Sequence, residues 1–347
     1  MRLPGKRAGM NPLTTFTLLY TLRCDIACRH CGFSCGPRRT EKMDFREAEG
    51  YVEEACAIPG MDMVAYSGGE PFLHYDEILK LMTRAFFRGM SGGIVTNCLW
   101  ASDDRLAATR IAEMKAAGLV EIITSVDEYH QQHVPFENVR RVAHAAIDAG
   151  IRVGINLLKT RNGAFRETDV ANRLDLDAEI RNDLRRLWIR ESSPLLVGRA
   201  RARFRADDLY RYGEKELSSN PCHFVIRNAV AAPDGSLFGC CGFGGATENG
   251  PSSLSYAGNL KTHPFHELAK RLEGDLLLNL IATDGPYLLL KMVREREPDV
   301  RFREAYVSNC DICEEISGNA ALRAAVGRLL RDLAENGSSA TVAGGTG

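Results

Sequence analysis

Leu13-Thr-Thr-Phe-Thr-Leu-Leu-Tyr-Thr-Leu-Arg-Cys24-Asp-Ile-Ala-Cys28-Arg-His-Cys31 joins a strand-like apolar run directly to three closely spaced cysteines. The run from 13 to 22 reads as a buried strand, and the Cys-x3-Cys-x2-Cys loop begins where that strand ends. Such a loop lets the thiolates of Cys24, Cys28 and Cys31 converge on one face of a compact inorganic cluster. Three ligands suit a 4Fe-4S centre with one iron left open, much as a catalytic metal site keeps an open position. The plainer reading of the same spacing is three structural or zinc-binding thiols.

Outward from this junction, strand-like runs alternate with amphipathic helical patterns to about Arg205. The stretches 61–69, 92–99, 120–127, 151–158 and 185–193 read as strands; 44–57, 75–89, 103–118 and 136–150 read as helices, the last two ending in Gly at a left-handed C-cap. This βα rhythm predicts an α/β fold, a partial (β/α)6 TIM-like barrel over residues 14–205 with its chemistry at the C-terminal ends of the strands. After Arg205 the rhythm stops. A hairpin pattern with Asp234 and Gly235 in its turn, a Gly-rich stretch and a long helical segment follow, predicting a small α+β auxiliary domain over 206–330. The Gly/Ser/Thr-rich end, 335–347, reads as a disordered tail.

Composition limits the partners. Lys+Arg is 44 and Asp+Glu 45, a formal net charge of -1, so no global field favours nucleic acid or anionic lipid. No stretch approaches the ~20 apolar residues that span a bilayer. Neither nucleic acid nor membrane is expected as a partner. Eleven cysteines, an odd number with no secretion signal, point to thiolate chemistry in a reducing cytoplasm rather than a disulfide framework.

At the end of the second strand stands Ser67-Gly68-Gly69-Glu70-Pro71. Thr96-Asn97 ends the third strand, Ser125-Val-Asp127 the fourth, and Asn156 lies in the fifth. With the three-cysteine loop, this pattern resembles the radical S-adenosylmethionine (SAM) enzymes. The resemblance implies that Ser67, Gly68, Gly69, Glu70, Pro71, Asn97, Ser125, Asp127 and Asn156 contact SAM, the glycines by letting the backbone approach its methionine part. It also implies reductive cleavage of SAM to methionine and a 5′-deoxyadenosyl radical that abstracts hydrogen from an unactivated carbon. An external electron donor such as flavodoxin or ferredoxin is then required.

A second set of cysteines, Cys222, Cys240, Cys310 and Cys313, is spaced C-x12-G-x4-C and, after a long gap, C-x2-C. Four thiolates can fully ligate a metal centre, and a structural zinc site is the alternative. The spacing and its place after the barrel resemble the Twitch domain of radical SAM enzymes, which implies an auxiliary 4Fe-4S cluster. Cys241 follows Cys240 directly; from the residues alone it is a spare thiol near the second centre, a small buried residue, or a ligand in place of Cys240.

The stretches 24–43, 125–139, 234–242, 274–281 and 308–316 are similar to those of the epipeptide epimerases, which convert L- to D-residues in ribosomally made peptides. That resemblance implies a precursor peptide as substrate and assigns Cys241 as the hydrogen-atom donor. The alternatives are peptide dehydrogenation or cross-linking, a sugar epimerase, and, outside enzymes, a metal-cluster sensor. His130 and His133 read as solvated or substrate-facing groups rather than metal ligands; Cys35, Cys56 and Cys98 read as packing residues. Arg199, Arg201, Arg203 and Arg205 alternate and would share one side of an extended segment, within reach of the SAM carboxylate or acidic peptide residues, or as a solvated face.

Overall fold

The alternating runs form one nine-stranded sheet in the computed structural model, which describes residues 12–240 and 250–342. Strands β1 (Thr15–Thr21), β2 (Met63–Gly68), β3 (Ser91–Val95), β4 (Leu119–Ser125), β5 (Arg152–Leu158) and β6 (Leu187–Ser192) lie side by side in chain order, all parallel. This is the expected six-strand βα arc. Helices α1 (Phe45–Cys56), α2 (Tyr75–Phe87), α3 (Asp104–Ala116) and α4 (Phe136–Asp148) connect its first five strands. Short α5 (Glu167–Arg173) and α6 (Ala178–Asn182) replace the long helix before β6.

Local chemistry sets these boundaries. Asp44 caps α1 by accepting from the Arg46 and Glu47 N–H groups, and Asp103 caps α3 from Leu106. Gly118 and Gly150 follow α3 and α4 with φ of +99° and +68°, as their sequence positions predict. In β4 and β5 the residues on one face are buried, while Ser125 and Asn156 stand on the other face, half-buried, and are partners in register.

Beyond β6 come α7 (Gly198–Arg203), α8 (Glu214–Leu217), β7 (Asn228–Ala231), β8 (Ser236–Phe238) and β9 (Tyr256–Asn259). The predicted hairpin forms between β7 and β8, with Gly235 at φ +87° in its turn. It does not stand apart from the barrel sheet. β7 runs parallel to β1, from Thr15 beside Asn228 to Leu18 beside Ala231, so the sheet reads β6-β5-β4-β3-β2-β1-β7-β8-β9. The chain closes with α9 (Phe265–Gly274), α10 (Leu276–Thr283), α11 (Pro286–Arg296), α12 (Asn309–Gly318) and α13 (Ala320–Val342). Helix α13 continues past residue 335, where composition predicts a tail. Among the described residues no single helix is long and apolar enough to cross a membrane; α10 and α11 are apolar as a pair but bent by 111°.

Side-chain packing adds to the β1–β7 pairing in joining the two halves of the chain. Phe16 of β1 meets Phe265 of α9 edge to face, ring centroids 4.9 Å apart, and both are fully buried. Glu54 of α1 accepts the Phe265 N–H, and Glu273 of α9 accepts the Leu13 N–H. Phe265→Ala should therefore lower the unfolding free energy by about 3–5 kcal/mol in denaturant melts. A loss near the ~0.5 kcal/mol of a surface change would contradict this junction.

Candidate active site

The chain leaves β1 and folds back on itself before α1. Arg23 bridges Gly36, Thr21 bridges Lys42, and the Cys24 N–H donates to the Gly36 carbonyl at 3.2 Å. This closes a compact loop holding Cys24, Cys28 and Cys31; the first two are buried and the third half-buried. Burial, with the charges of Glu70, Asp25 and Cys28 adding to it, pushes the Cys24 thiol well up. Cys35 is more than packing. Its N–H donates to Cys31 Sγ at 3.4 Å, and hydrogen bonding from the Cys35 side chain pulls the Cys31 thiol below its ordinary value.

Gly68 and Gly69 allow a close approach of the chain to itself. The Gly69 and Glu70 N–H groups donate to the carbonyls of Thr21 and Arg23, at 2.6 and 2.9 Å. Gly68 has φ +134°, and a Cβ on either glycine would collide with those carbonyls. The motif thus fastens the cysteine loop to β2. Glu70 is buried, and its carboxylate accepts from Phe72 N–H, Thr96 Oγ1 and Asn97 N–H, at 3.0, 2.8 and 2.8 Å. It caps the 3-10 turn Pro71–His74 and fixes the end of β3. Asn97 in turn donates to Asp25 Oδ1 at 2.6 Å, with Cys24 Sγ 3.7 Å away. Cys98 follows in left-handed conformation, φ +66°, fully buried against Thr124.

Asp127 ends the β4 turn. Its Oδ1 accepts from Tyr129 and His130 N–H, and its Oδ2 from His130 Nδ1 at 2.9 Å. His30 Nε2 lies 3.9 Å from the same oxygen, and the two imidazoles stack edge to face at 4.6 Å. Burial pushes Asp127 up, but the charge and hydrogen bond of His130 outweigh it and lower the carboxyl to about 2. His130 is lifted against its own burial to about 10 by the same carboxylate, while burial brings His30 down to about 4. His130 is therefore not the solvated group its sequence position predicts: His30, from the cysteine loop, covers it. Asp127 and Glu70 both direct their carboxylates at protein partners. Ser125, Asn156 and Arg190 stand in one register row across β4, β5 and β6.

The second set of cysteines comes together. Cys222 lies in the loop after α8, Cys240 follows β8, and Cys310 and Cys313 belong to the first turns of α12; all four line one cavity, walled otherwise mainly by Val225, Leu254, Leu278 and Ile281. Burial pushes Cys222, Cys310 and Cys313 upward, with neighbouring thiols adding to the effect. Four thiolates in an apolar cavity need a cationic centre to compensate them, so this donor set fits a metal cluster. In the first loop, His30 Nδ1 is buried with no hydrogen-bond partner among the described residues, which fits a polar group bound there; Glu128 Oε2 and Gln131 Nε2, in the segment after β4, are likewise unpartnered. Cys241 lies outside the described residues.

The arginine run does not form one face. Gly198–Arg203 is helical, so residues two apart diverge. Arg199 donates to the carbonyls of Cys28, at 2.7 Å, and of Cys35; Arg201 pairs with Glu314; the Arg203 carbonyl accepts from Arg29 Nε at 2.9 Å. Arg205 donates its N–H to Asp208. Most of these partners lie far away in the chain, and no local pattern in the run announces them.

Residues 18–168 match the model of the Radical SAM superfamily. The chain is 21% identical over 304 residues to a Bacillus subtilis (strain 168) protein named for peptide biosynthesis, YydG, a match covering 86% of this chain and 90% of that one. It is 29% identical over 118 residues to the GTP 3′,8-cyclase of Synechococcus sp. (strain CC9902), covering 33% of this chain and 32% of that one. Among solved structures, native anSMEcpe with bound AdoMet and Cp18Cys peptide superposes with a TM-score of 0.50 at 15% identity, covering 94% of this chain and 99% of that one. That likeness is one of fold.

Burial raises the Glu70 carboxyl from its ordinary 4.5 to about 7. The folded chain then binds this proton more tightly than the unfolded one, so the group's stabilisation is complete below 4.5 and is lost as pH rises through 7. Relative to Glu70→Gln, wild-type unfolding free energy should fall by up to about 3 kcal/mol across that window. A flat difference would contradict the buried position of Glu70.

Proposed function

We propose that this chain, which carries a radical SAM domain, epimerises L-residues of a ribosomally made precursor peptide to D-residues. The observation that carries the reading is the gathering of Cys222, Cys240, Cys310 and Cys313 about one cavity, with a further thiol, Cys241, next in the chain. Similarity over most of the chain to a protein named for peptide biosynthesis supports a peptide as substrate.

In this reading Cys24, Cys28 and Cys31 hold a 4Fe-4S cluster with one iron left for SAM, and the second set holds an auxiliary 4Fe-4S cluster. Cluster-bound SAM, given an electron by a donor of the flavodoxin or ferredoxin class, supplies the hydrogen-atom abstractor. SAM contacts fall to Ser67, Asn97, Ser125 and Asn156, along the strand ends. Glu70 and Asp127 act one step back, holding Asn97 and His130 in place. Cys241 keeps a hydrogen atom on Sγ and delivers it to Cα on the face opposite the one that lost it.

The balance closes. The substrate Cα–H bond breaks, its hydrogen atom going to the abstractor that SAM supplies, and leaves a planar carbon radical spread over its flanking amides. The Cys241 S–H bond breaks and a new Cα–H bond forms, leaving a thiyl. One electron from the external flavodoxin- or ferredoxin-class donor and one proton from solvent would restore the thiol. Position decides the outcome, since a donor displaced by ~1 Å can lose ~10²-fold in rate.

The test is incubation of the reduced, metal-loaded enzyme with SAM and a peptide encoded beside its gene. The expected product keeps the peptide's mass in light water, carries solvent deuterium at Cα in heavy water, and shows D-residues on chiral analysis. Cys241→Ala should abolish deuterated D-product while SAM cleavage continues. A product lighter by two hydrogens would contradict epimerisation in favour of dehydrogenation or cross-linking.

A further inference from the structure

The segment after β6 plays no part in the reaction above, yet it touches both sets of thiols. Leu195 and Val197 cover Gly32 of the first loop so closely that a Cβ there would lie 3.2 and 3.1 Å from their methyl groups. Val197 also packs with Cys240 and Cys313 of the second set. Gly198 then turns the chain with φ +54°, and any side chain on it would strike the Gly32 carbonyl. From this turn Arg199 reaches the first loop three times: its N–H donates to the Cys31 carbonyl at 3.1 Å, and its guanidinium to the carbonyls of Cys28 and Cys35. Arg201 pairs with Glu314, which follows Cys313 in α12.

We infer that residues 195–201 form a tie between the two thiol centres, with Arg199 positioning the first loop and Arg201 positioning α12, so that a loaded centre steadies the other. The inference rests on the two-centre reading above. Its physical basis is shared ordering. A metal centre fixes the segments that carry its ligands, and an element packed against both centres is ordered once for the two. Arg199 adds a fixed cation beside a loop whose ligands are anionic once deprotonated, and it does so through main-chain carbonyls, so its effect falls on loop geometry rather than on any ligand identity.

The test uses the full-length, metal-loaded chain and follows iron release from each centre to a chelator, with the EPR signal of the reduced first centre, with and without SAM, identifying which is lost. Cys310→Ala/Cys313→Ala, which empties the second centre, should speed release from the first by about 10-fold. Arg199→Gln should make the first centre labile by a similar factor and alter its EPR line shape with SAM. Adding the cysteine changes to Arg199→Gln should then do little more, because both act through one tie. Arg199→Lys should recover part of the retention. Arg201→Gln and Glu314→Gln, which remove no ligand and lie away from the first loop, should show the same effect more weakly, and they serve if Arg199→Gln does not fold. First-centre release that ignores the state of the second, or effects that multiply independently, would overturn the tie while leaving both centres standing. A wild-type chain that assembles no second centre would overturn the two-centre reading, and the tie with it.

Discussion

β1 is hydrogen-bonded in parallel on both sides, to β2 and to β7. That placement positions both sets of thiols. A strand with two parallel neighbours has no freedom to slide, so the loop leaving its C-terminal end starts from a fixed point. The first three cysteines are on that loop. Because β7 leads through β8 to Cys240, the same pairing brings the second set of thiols to the β1 side of the sheet. Phe16 against Phe265 and the glycine contact of β2 with Thr21 and Arg23 then hold the junction from two directions.

Around the loop the chain surrounds the buried carboxylates of Glu70 and Asp127 with protein donors rather than leaving them to solvent. Glu70 accepts three hydrogen bonds and Asp127 three, and each makes a neighbouring residue rigid. A buried carboxylate is tolerable only when its donors are all in place, so these two residues make the strand ends all-or-none features of the fold. The consequence for function is pre-organisation. Asn97 beside Cys24 and His130 beside His30 are each held by bonds within the protein, which is what a reaction sensitive to small displacements requires.

Much of this was legible in the sequence, and the divide follows contact range. The six parallel strands, the capped helices and the Asp234-Gly235 hairpin depend on neighbours within a few residues, and their patterns show plainly. The cysteine spacing is equally local. Contacts that join distant segments left no such mark. Nothing near Arg199 announces that its guanidinium ends on Cys28 and Cys35, more than a hundred and sixty residues earlier. The hairpin's continuation of the barrel sheet depends on β7 meeting β1, which no period reveals. For Asp127 and His130 the signal was present, an acid and an imidazole three apart, but the burial that makes them a pair comes from His30 in another loop. The glycines of Ser67–Pro71 were legible as a close approach, and their contact with Thr21 and Arg23 is one that their own pattern does not name.

The proposed chemistry requires the loop from Cys24 to Cys31 to hold an iron-sulfur centre that opens to SAM. The most direct measurement is nucleoside release by anaerobically reconstituted, chemically reduced protein given SAM. The account predicts 5′-deoxyadenosine and methionine from the wild type and none from Cys28→Ala. Iron-loaded wild type that releases no nucleoside, or a Cys28→Ala variant that still does, would contradict it.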